Sequence, residues 1–216
     1  RNELDEFALQ SHKRAHEAEE NGCFEGERFS LGDLDRDEPV RPDTSLDRLG
    51  QLPPAFREDG IVTAGNAPGL NDGAATLQVV DPDRVEVPGS VDSTFRLLGY
   101  SVVGTEPGNL FETPAAAIET LLEGRKWTLD DFDRIEINEA FASQVLGNCH
   151  RLELNPERVN QWGGAIAQGH PIGMSGARIV LTLLHQLRQS GGELGLAAIC
   201  MGGGNGIALA VEQETR

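Results

Sequence analysis

The feature that most restricts the fold is an ordered alternation of strand-like and helix-like segments from Phe95 onward. Residues 97–103 suit a strand. Thr113-Pro114, followed by Ala115, Ile118, Leu121 and Leu122, predicts a helix capped by Thr113 with proline in its first turn. Ile135 and Ile137 alternate with charged neighbours as a second strand, after which Ala140, Phe141, Val145 and Leu146 form a helical face. A short strand near Val159 precedes a long helix that starts near Ser175. That helix carries Ile179, Val180, Leu183, Leu184 and Leu187 on one side and stops at Gly191-Gly192. Two last strands, 194–200 and 207–211, are joined by MGGGNG. The order β-α-β-α-β-α-β-β implies an α/β domain with a parallel or mixed sheet covered by helices.

The first 93 residues are less regular. Leu4, Phe7, Ala8, Ala15 and Ala18 fall at helical spacing until Asn21-Gly22 ends the pattern. Residues 23–71 are rich in Gly, Pro, Asp and Arg, with one short helix expected after Thr44, whose spacing to Asp47 fits a capping box. The Asn71-Asp72-Gly73 turn leads into an apolar run, 74–80, expected to be a buried strand, and residues 81–93, with Pro82, Pro88 and Gly89, read as a linker.

Composition removes several classes of function. The 35 acidic residues outnumber 18 basic ones, and Lys13 and Lys126 are the only lysines, so nucleic acid is not an expected partner. The charge of -17 fits a solvated surface suited to high salt, or an ordinary acidic cytoplasmic protein; activity against salt concentration separates the two. No apolar run is long enough to span a bilayer and no secretory leader opens the chain, so the expectation is a cytoplasmic protein. The odd set Cys23, Cys149 and Cys200 contains no CxxC pair, which disfavours disulfides and a zinc site; no metal is expected. The first residue is Arg1 rather than Met, from which a fragment or processed subunit is expected.

Three blocks have the residue types that chemistry needs. In Asn138-Glu139-Ala140-Phe141, where a strand passes into a helix, Asn138 either caps the helix or holds a catalytic water with its amide. In GGAIAQGHPIGMSGAR, 163–178, small residues flank His170, so backbone can approach a ligand beside a helix N-terminus whose field keeps an imidazole neutral. His12, His16, His150 and His185 fall on predicted helices and read as surface or packing residues. In Cys200-Met201-Gly202-Gly203-Gly204, a thiol at a strand end is surrounded by free amides, the setting of a reactive cysteine with an oxyanion hole. A dinucleotide fingerprint is the rival reading of these glycines, but its spacing fails and a strand, not a helix, follows.

Taken in order, INEAFASQ, GGAIAQGHPIGMSGAR and CMGGGNG resemble the three C-terminal motifs of the thiolases. RNELDEFALQSHKRAHEA, RPDTSLDRL and AFREDGIVTAGNAPGLNDGAA are similar to the thiolase loop domain and its return into the first half of the enzyme. The resemblance implies a thiolase-like α/β fold: residues 1–70 as the remainder of the loop domain, 71–90 as the end of the N-terminal domain and linker, and 91–216 as a complete C-terminal domain with a mixed sheet. Ketoacyl synthases share that fold, but the glycine block at Cys200 favours thiolase.

The chemistry implied by the resemblance is acyl transfer through a covalent thioester, with acetyl-CoA and 3-ketoacyl-CoA as substrates and no bound cofactor. His170 would activate a cysteine of the N-terminal half, Cys200 would move a proton at coenzyme A or the acetyl carbon, Asn138 would hold the water of one oxyanion hole, and the Gly202 amide would contribute to the other. Ala64, Gly65 and Pro68 match the loop near the pantetheine arm, where Pro68 stands in place of the usual serine and offers no donor. Neither Cys149, expected to be a small buried hydrophobe, nor Cys23, in a loop, stands in the nucleophile's motif. The chain alone is therefore expected to be inactive, with a missing N-terminal half as partner, an exposed apolar face where that half would pack, and a homo-oligomeric assembly by family habit. A non-catalytic subunit that binds acyl-CoA or a partner chain is the alternative.

Overall fold

Hydrophobic periodicity places the helices. In the computed structural model, which describes residues 1–85 and 94–214, helix α1 spans Asn2–Glu20 and buries Leu4, Phe7, Ala8, Ala15 and Ala18 on one face. A short helix α2, Leu46–Gly50, is capped by Ser45, whose side chain accepts from Arg48 N–H, rather than by the expected Thr44. Beyond the Asn71–Gly73 turn, the run 74–80 forms no strand: no segment among the described residues pairs with it, and Val79 is 82% exposed. An apolar run becomes a strand only where a neighbour completes its backbone hydrogen bonds. Pro82 to Arg84 form a turn, while Pro88 and Gly89 lie outside the described residues.

Four strands follow: β1 Thr94–Gly104, β2 Arg134–Ile137, β3 Leu194–Met201 and β4 Asn205–Glu214. They form a mixed sheet in the order β1-β4-β3-β2, with β1/β4 and β4/β3 antiparallel and β2/β3 parallel. The expected strand near Val159 is reduced to a single parallel bridge with Ile135. Helix α3, Thr113–Arg125, starts with Pro114 in its first turn, but Thr113 is already helical and its hydroxyl donates to Leu110 O and Asn205 O, so it is not the cap. Helix α4 is Ala142–Arg151, one residue beyond Phe141, which is extended at the cap position. A single turn, α5, Ala165–Gln168, and helix α6, Ser175–Ser190, precede β3.

The sheet has two faces because strand side chains alternate. On one, Ile118, Ile135, Ile137 and Leu196 are fully buried among α1, α3 and α4. Burying each contributes roughly 1.5–3 kcal/mol. On the other, Ile179, Leu183 and Leu187 of α6 cover Ala197, Ile199 and Val211. That cover reaches Phe95 at the start of β1 but leaves the middle of the strand open. Ser101 of β1 faces α3 and donates to Ala117 O, so its neighbours Tyr100 and Val102 point to the α6 side, where they are 67% and 55% exposed. No helix among the described residues is long and apolar enough to cross a membrane.

Candidate functional site

Because β2 and β3 run parallel, their carboxyl ends share one edge of the sheet, the edge where open α/β sheets bind ligands. Asn138 is the first residue past β2, and its N–H donates to Ala198 O at 2.9 Å, adding one rung to the ladder. Cys200 lies two residues further along β3, about 7 Å from that rung at the strand rise of about 3.3 Å per residue. The helix cap falls on Phe141, so Asn138 is not a capping residue. Its side chain is 1% exposed and points at the imidazole: Nδ2 lies 3.3 Å from His170 Nε2, and Oδ1 is buried without a partner among the described residues.

His170 is delivered by the glycine-rich segment. The turn α5 ends at Gly169, which adopts φ 100°, a conformation that costs glycine little. The His170 N–H donates to Asn71 Oδ1 at 3.2 Å, and a Cβ on Gly169 would sit 2.7 Å from Asn71 Cγ, so the Asn71 side chain rests on the turn. His170 Nδ1 is 2.6 Å from Ser175 Oγ, whose own proton goes to Pro171 O at 2.9 Å. Ser175 therefore accepts from Nδ1–H, and the lone pair of the neutral ring is left on Nε2, facing the Asn138 amide. Burial, then the charge of Arg178 one turn into α6, hold the His170 pKa below its usual value. Behind it, Arg178 Nη1 lies 3.7 Å from Glu136 Oε2, and Gln186 Nε2 donates to Glu136 Oε1 at 2.7 Å.

Cys200 pairs with Gly206 across the β3/β4 hairpin and is partly exposed; burial raises its thiol pKa. No hydrogen bond joins it to Asn138 or His170. Gly202 lies exposed in the hairpin loop with open space around its Cα, while Gly204, at φ 87°, packs where a Cβ would meet Thr105 O at 2.4 Å. Ala64, Gly65 and Pro68 lie on the loop that docks against the start of α4, where Ala142 N–H donates to Asn66 O at 3.0 Å. Gly65 N–H is held by Thr63 Oγ1 at 3.1 Å, and Ala64 is exposed. Beside that loop, Phe56 and Phe111 both meet Phe141 edge to face, at 6.2 and 5.3 Å between ring centroids. A cavity of about 370 Å³ lined by Phe111, Ser143, Gln144, Asn148 and Arg151 includes none of Asn138, His170 and Cys200.

The other two thiols stand apart. Cys149 is 1% exposed within the α4 core, and burial pushes its pKa up to about 11; Cys23 sits in the turns after α1. Ser175, Asn71, Asn66 and Glu139 were given no role in the site from sequence. Of these, Ser175 and Glu139 carry a signal, since Ser175 falls five residues after His170 in the same block and Glu139 directly follows Asn138. Among the described residues no three His, Cys, Asp or Glu side chains gather as a metal site.

The family model for the thiolase C-terminal domain matches residues 92–213, and that for the thiolase N-terminal domain matches residues 1–83. The chain is 46% identical over 223 residues to a beta-ketoadipyl-CoA thiolase of Pseudomonas aeruginosa, covering 99% of this chain and 55% of that protein. It is 43% identical over 222 residues to an acetyl-CoA acetyltransferase of Chromobacterium violaceum, covering 99% and 56%. The fold is that of the human mitochondrial 3-ketoacyl-CoA thiolase solved in complex with CoA, at a TM-score of 0.88 and 39% identity over 99% of this chain and 55% of that one. The chain thus spans about half the length of the curated relatives it matches.

Proposed function

Since the chain belongs to the thiolase family, we propose that it carries the histidine, asparagine and second-cysteine part of an acyl-transfer site acting on acetyl-CoA and 3-ketoacyl-CoA. The observation that carries this reading is the Asn138–His170 contact at the shared carboxyl edge of β2 and β3, the edge where β3 also presents Cys200.

In this reading a cysteine from a thiolase N-terminal half gives its proton to His170 Nε2 and attacks the C3 carbonyl of a 3-ketoacyl-CoA. The C2–C3 bond breaks, its electron pair leaves as the enolate of acetyl-CoA, and Cys200 protonates that carbon. Cys200 then takes the proton of an incoming coenzyme A thiol, which attacks the acyl-enzyme; the first cysteine leaves as a thiolate and recovers its proton from His170. Charge on the thioester oxygen is met by His170 together with a water held by Asn138, and charge on the tetrahedral oxygen by the Gly202 amide. A neutral imidazole suits the first step, and the lowered His170 pKa supports it. The loop with Ala64, Gly65 and Pro68 would face the pantetheine arm, without a donor from Pro68.

Residues 1–70, 71–90 and 91–216 would form the remainder of the loop domain, the end of the N-terminal domain with its linker, and the C-terminal domain of a cytoplasmic homo-oligomer whose nucleophile a separate N-terminal half supplies. The exposed Tyr100 and Val102 are consistent with a face that such a half would cover. A second reading, a non-catalytic subunit that binds acyl-CoA or a partner chain, is favoured by the burial of Cys149 of α4 in the core, where it is 1% exposed. Thiolysis of acetoacetyl-CoA separates the two. The expected result is no acetyl-CoA release by this chain alone, release when a polypeptide carrying a thiolase N-terminal half is added, and a loss of about 100-fold or more with His170→Ala. No release in the mixture supports the binding role.

A further inference from the structure

Glu139 stands next to Asn138, yet its side chain turns into the protein rather than toward the imidazole. It is 1% exposed and forms no ion pair among the described residues. Three donors satisfy it: Oε2 accepts from Ser11 Oγ at 2.8 Å and from Ile166 N–H at 2.9 Å, and Oε1 accepts from Asn160 Nδ2 at 3.0 Å. Each partner fixes a different element. Asn160, left-handed at φ 52°, acts as an edge rung for β2: its Oδ1 accepts from Ile137 N–H at 2.9 Å and its Nδ2 donates to Ile137 O at 2.8 Å. Ser11 ties in α1 and also accepts from Gly164 N–H at 3.1 Å.

Ile166 lies in the first turn of α5, whose cap position is Gly164, a residue with no side-chain acceptor. The Glu139 carboxylate takes the part that a capping side chain would play. Gly164 permits this: a Cβ there would lie 2.2 Å from Glu139 Cδ. Four residues of α5 then lead to Gly169 and His170, and Asn71 holds the far end of the turn. One buried carboxylate therefore joins the end of β2, which presents Asn138, to the start of the segment that presents His170.

We infer that Glu139 is a positioning residue that sets the Asn138–His170 contact through its bonds to Asn160, Ser11 and Ile166. Its value for turnover rests on the acyl-transfer reading above, whereas the positioning itself does not. A Gln of the same shape must direct its NH2 at one of the three donors, so the network opens at that point. If the carboxylate served only stability, the folded fraction of the variant would keep the imidazole environment unchanged.

The test is 15N NMR of the His170 ring in the full chain, titrated with pH, for Glu139→Gln, Ser11→Ala and the control Ser101→Ala. The control removes a buried hydroxyl that donates to Ala117 O on another part of the sheet. We expect Glu139→Gln to displace the Nε2 resonance and move the midpoint by about half a pH unit or more, with a smaller shift for Ser11→Ala and none for the control. Should Glu139→Gln fail to fold, the Ser11→Ala spectrum decides. Coincidence of the His170 signals of the folded network variants with those of the control overturns the inference. With the N-terminal half added, kcat should fall about 10-fold in Glu139→Gln with KM unchanged. A displaced imidazole in a mixture that never turns over leaves the positioning standing and removes the acyl-transfer reading.

Discussion

Asn138 Nδ2 and His170 Nε2 lie 3.3 Å apart although 32 residues separate them in the chain. Three constraints bring them together. The Asn138 backbone is pinned to Ala198 O, the His170 backbone to Asn71, and the far side of the ring to Ser175. The imidazole is thus oriented before any ligand arrives, which is what a group expected to abstract a proton requires.

Replacing Asn138 by Asp puts a carboxylate against Nε2 in place of a neutral amide. A negative charge within about 4–6 Å favours the imidazolium, so the depressed His170 pKa should rise by about 1–3 units. Ring resonances followed against pH measure this. An unchanged or lower midpoint would mean that the two side chains do not face each other in solution.

Much of the second half of the fold was readable because α3, α6, β3 and β4 bury continuous or periodic apolar residues, and periodicity is a local property. The run 74–80 misled because composition alone cannot supply a pairing partner. The cap of α2 moved by one residue because Thr44 and Ser45 are chemically equivalent candidates and only the geometry at Arg48 N–H selects between them. His170 and Cys200 stood out by residue type beside glycines, and Asn138 by its place where a strand passes into a helix. The groups that hold them did not: Asn71 reaches His170 across 99 residues and Ser11 reaches Glu139 across 128, contacts made only by tertiary packing.

Two glycines of the same block should respond unequally to alanine. At Gly164 the new methyl would overlap a carboxylate that cannot swing away, being buried and bound to three donors, so Gly164→Ala should destabilise by about 3 kcal/mol. At Gly173 nothing lies within 4 Å of the new atom, and the change should stay within about 0.5 kcal/mol. Urea unfolding of both variants checks the pair; equal losses would contradict the packing at Gly164.

The three thiols should differ in reactivity. Cys23 and Cys200 are partly exposed, whereas Cys149 is 1% exposed with a pKa pushed up to about 11. Brief alkylation of the native chain at about pH 8 should modify Cys23 and Cys200 and spare Cys149 until the chain unfolds. Peptide mass spectrometry reads this directly, and early loss of Cys149 would place α4 outside a stable core.

A polar seam lies behind His170. Glu136, fully buried on β2, faces Arg178 and Gln186 of α6, with Glu27 and Glu139 as the nearest like charges. Burial pushes its pKa up to about 8, above its value of 4.5 in an open chain, so the folded state holds a proton that the unfolded state has released. Stability from this group is complete below about pH 4.5 and is lost as pH rises toward 8, with a slope of at most about 1.4 kcal/mol per pH unit. Glu27, raised by burial to about 7, adds the same trend at lower pH, while His12, lowered by burial to about 4, opposes it below 6.5. Burial raises Glu139 as well, so it is the difference between Glu136→Gln and the unsubstituted chain, in which the other groups cancel, that isolates Glu136. Glu136→Gln keeps the acceptor for Gln186 and cannot ionise, so its stability relative to the unsubstituted chain should climb as pH rises toward 8, then level off. Parallel denaturation curves for the two proteins from pH 6 to 9 would show that Glu136 is already charged in the folded chain, with Arg178 compensating its burial in full.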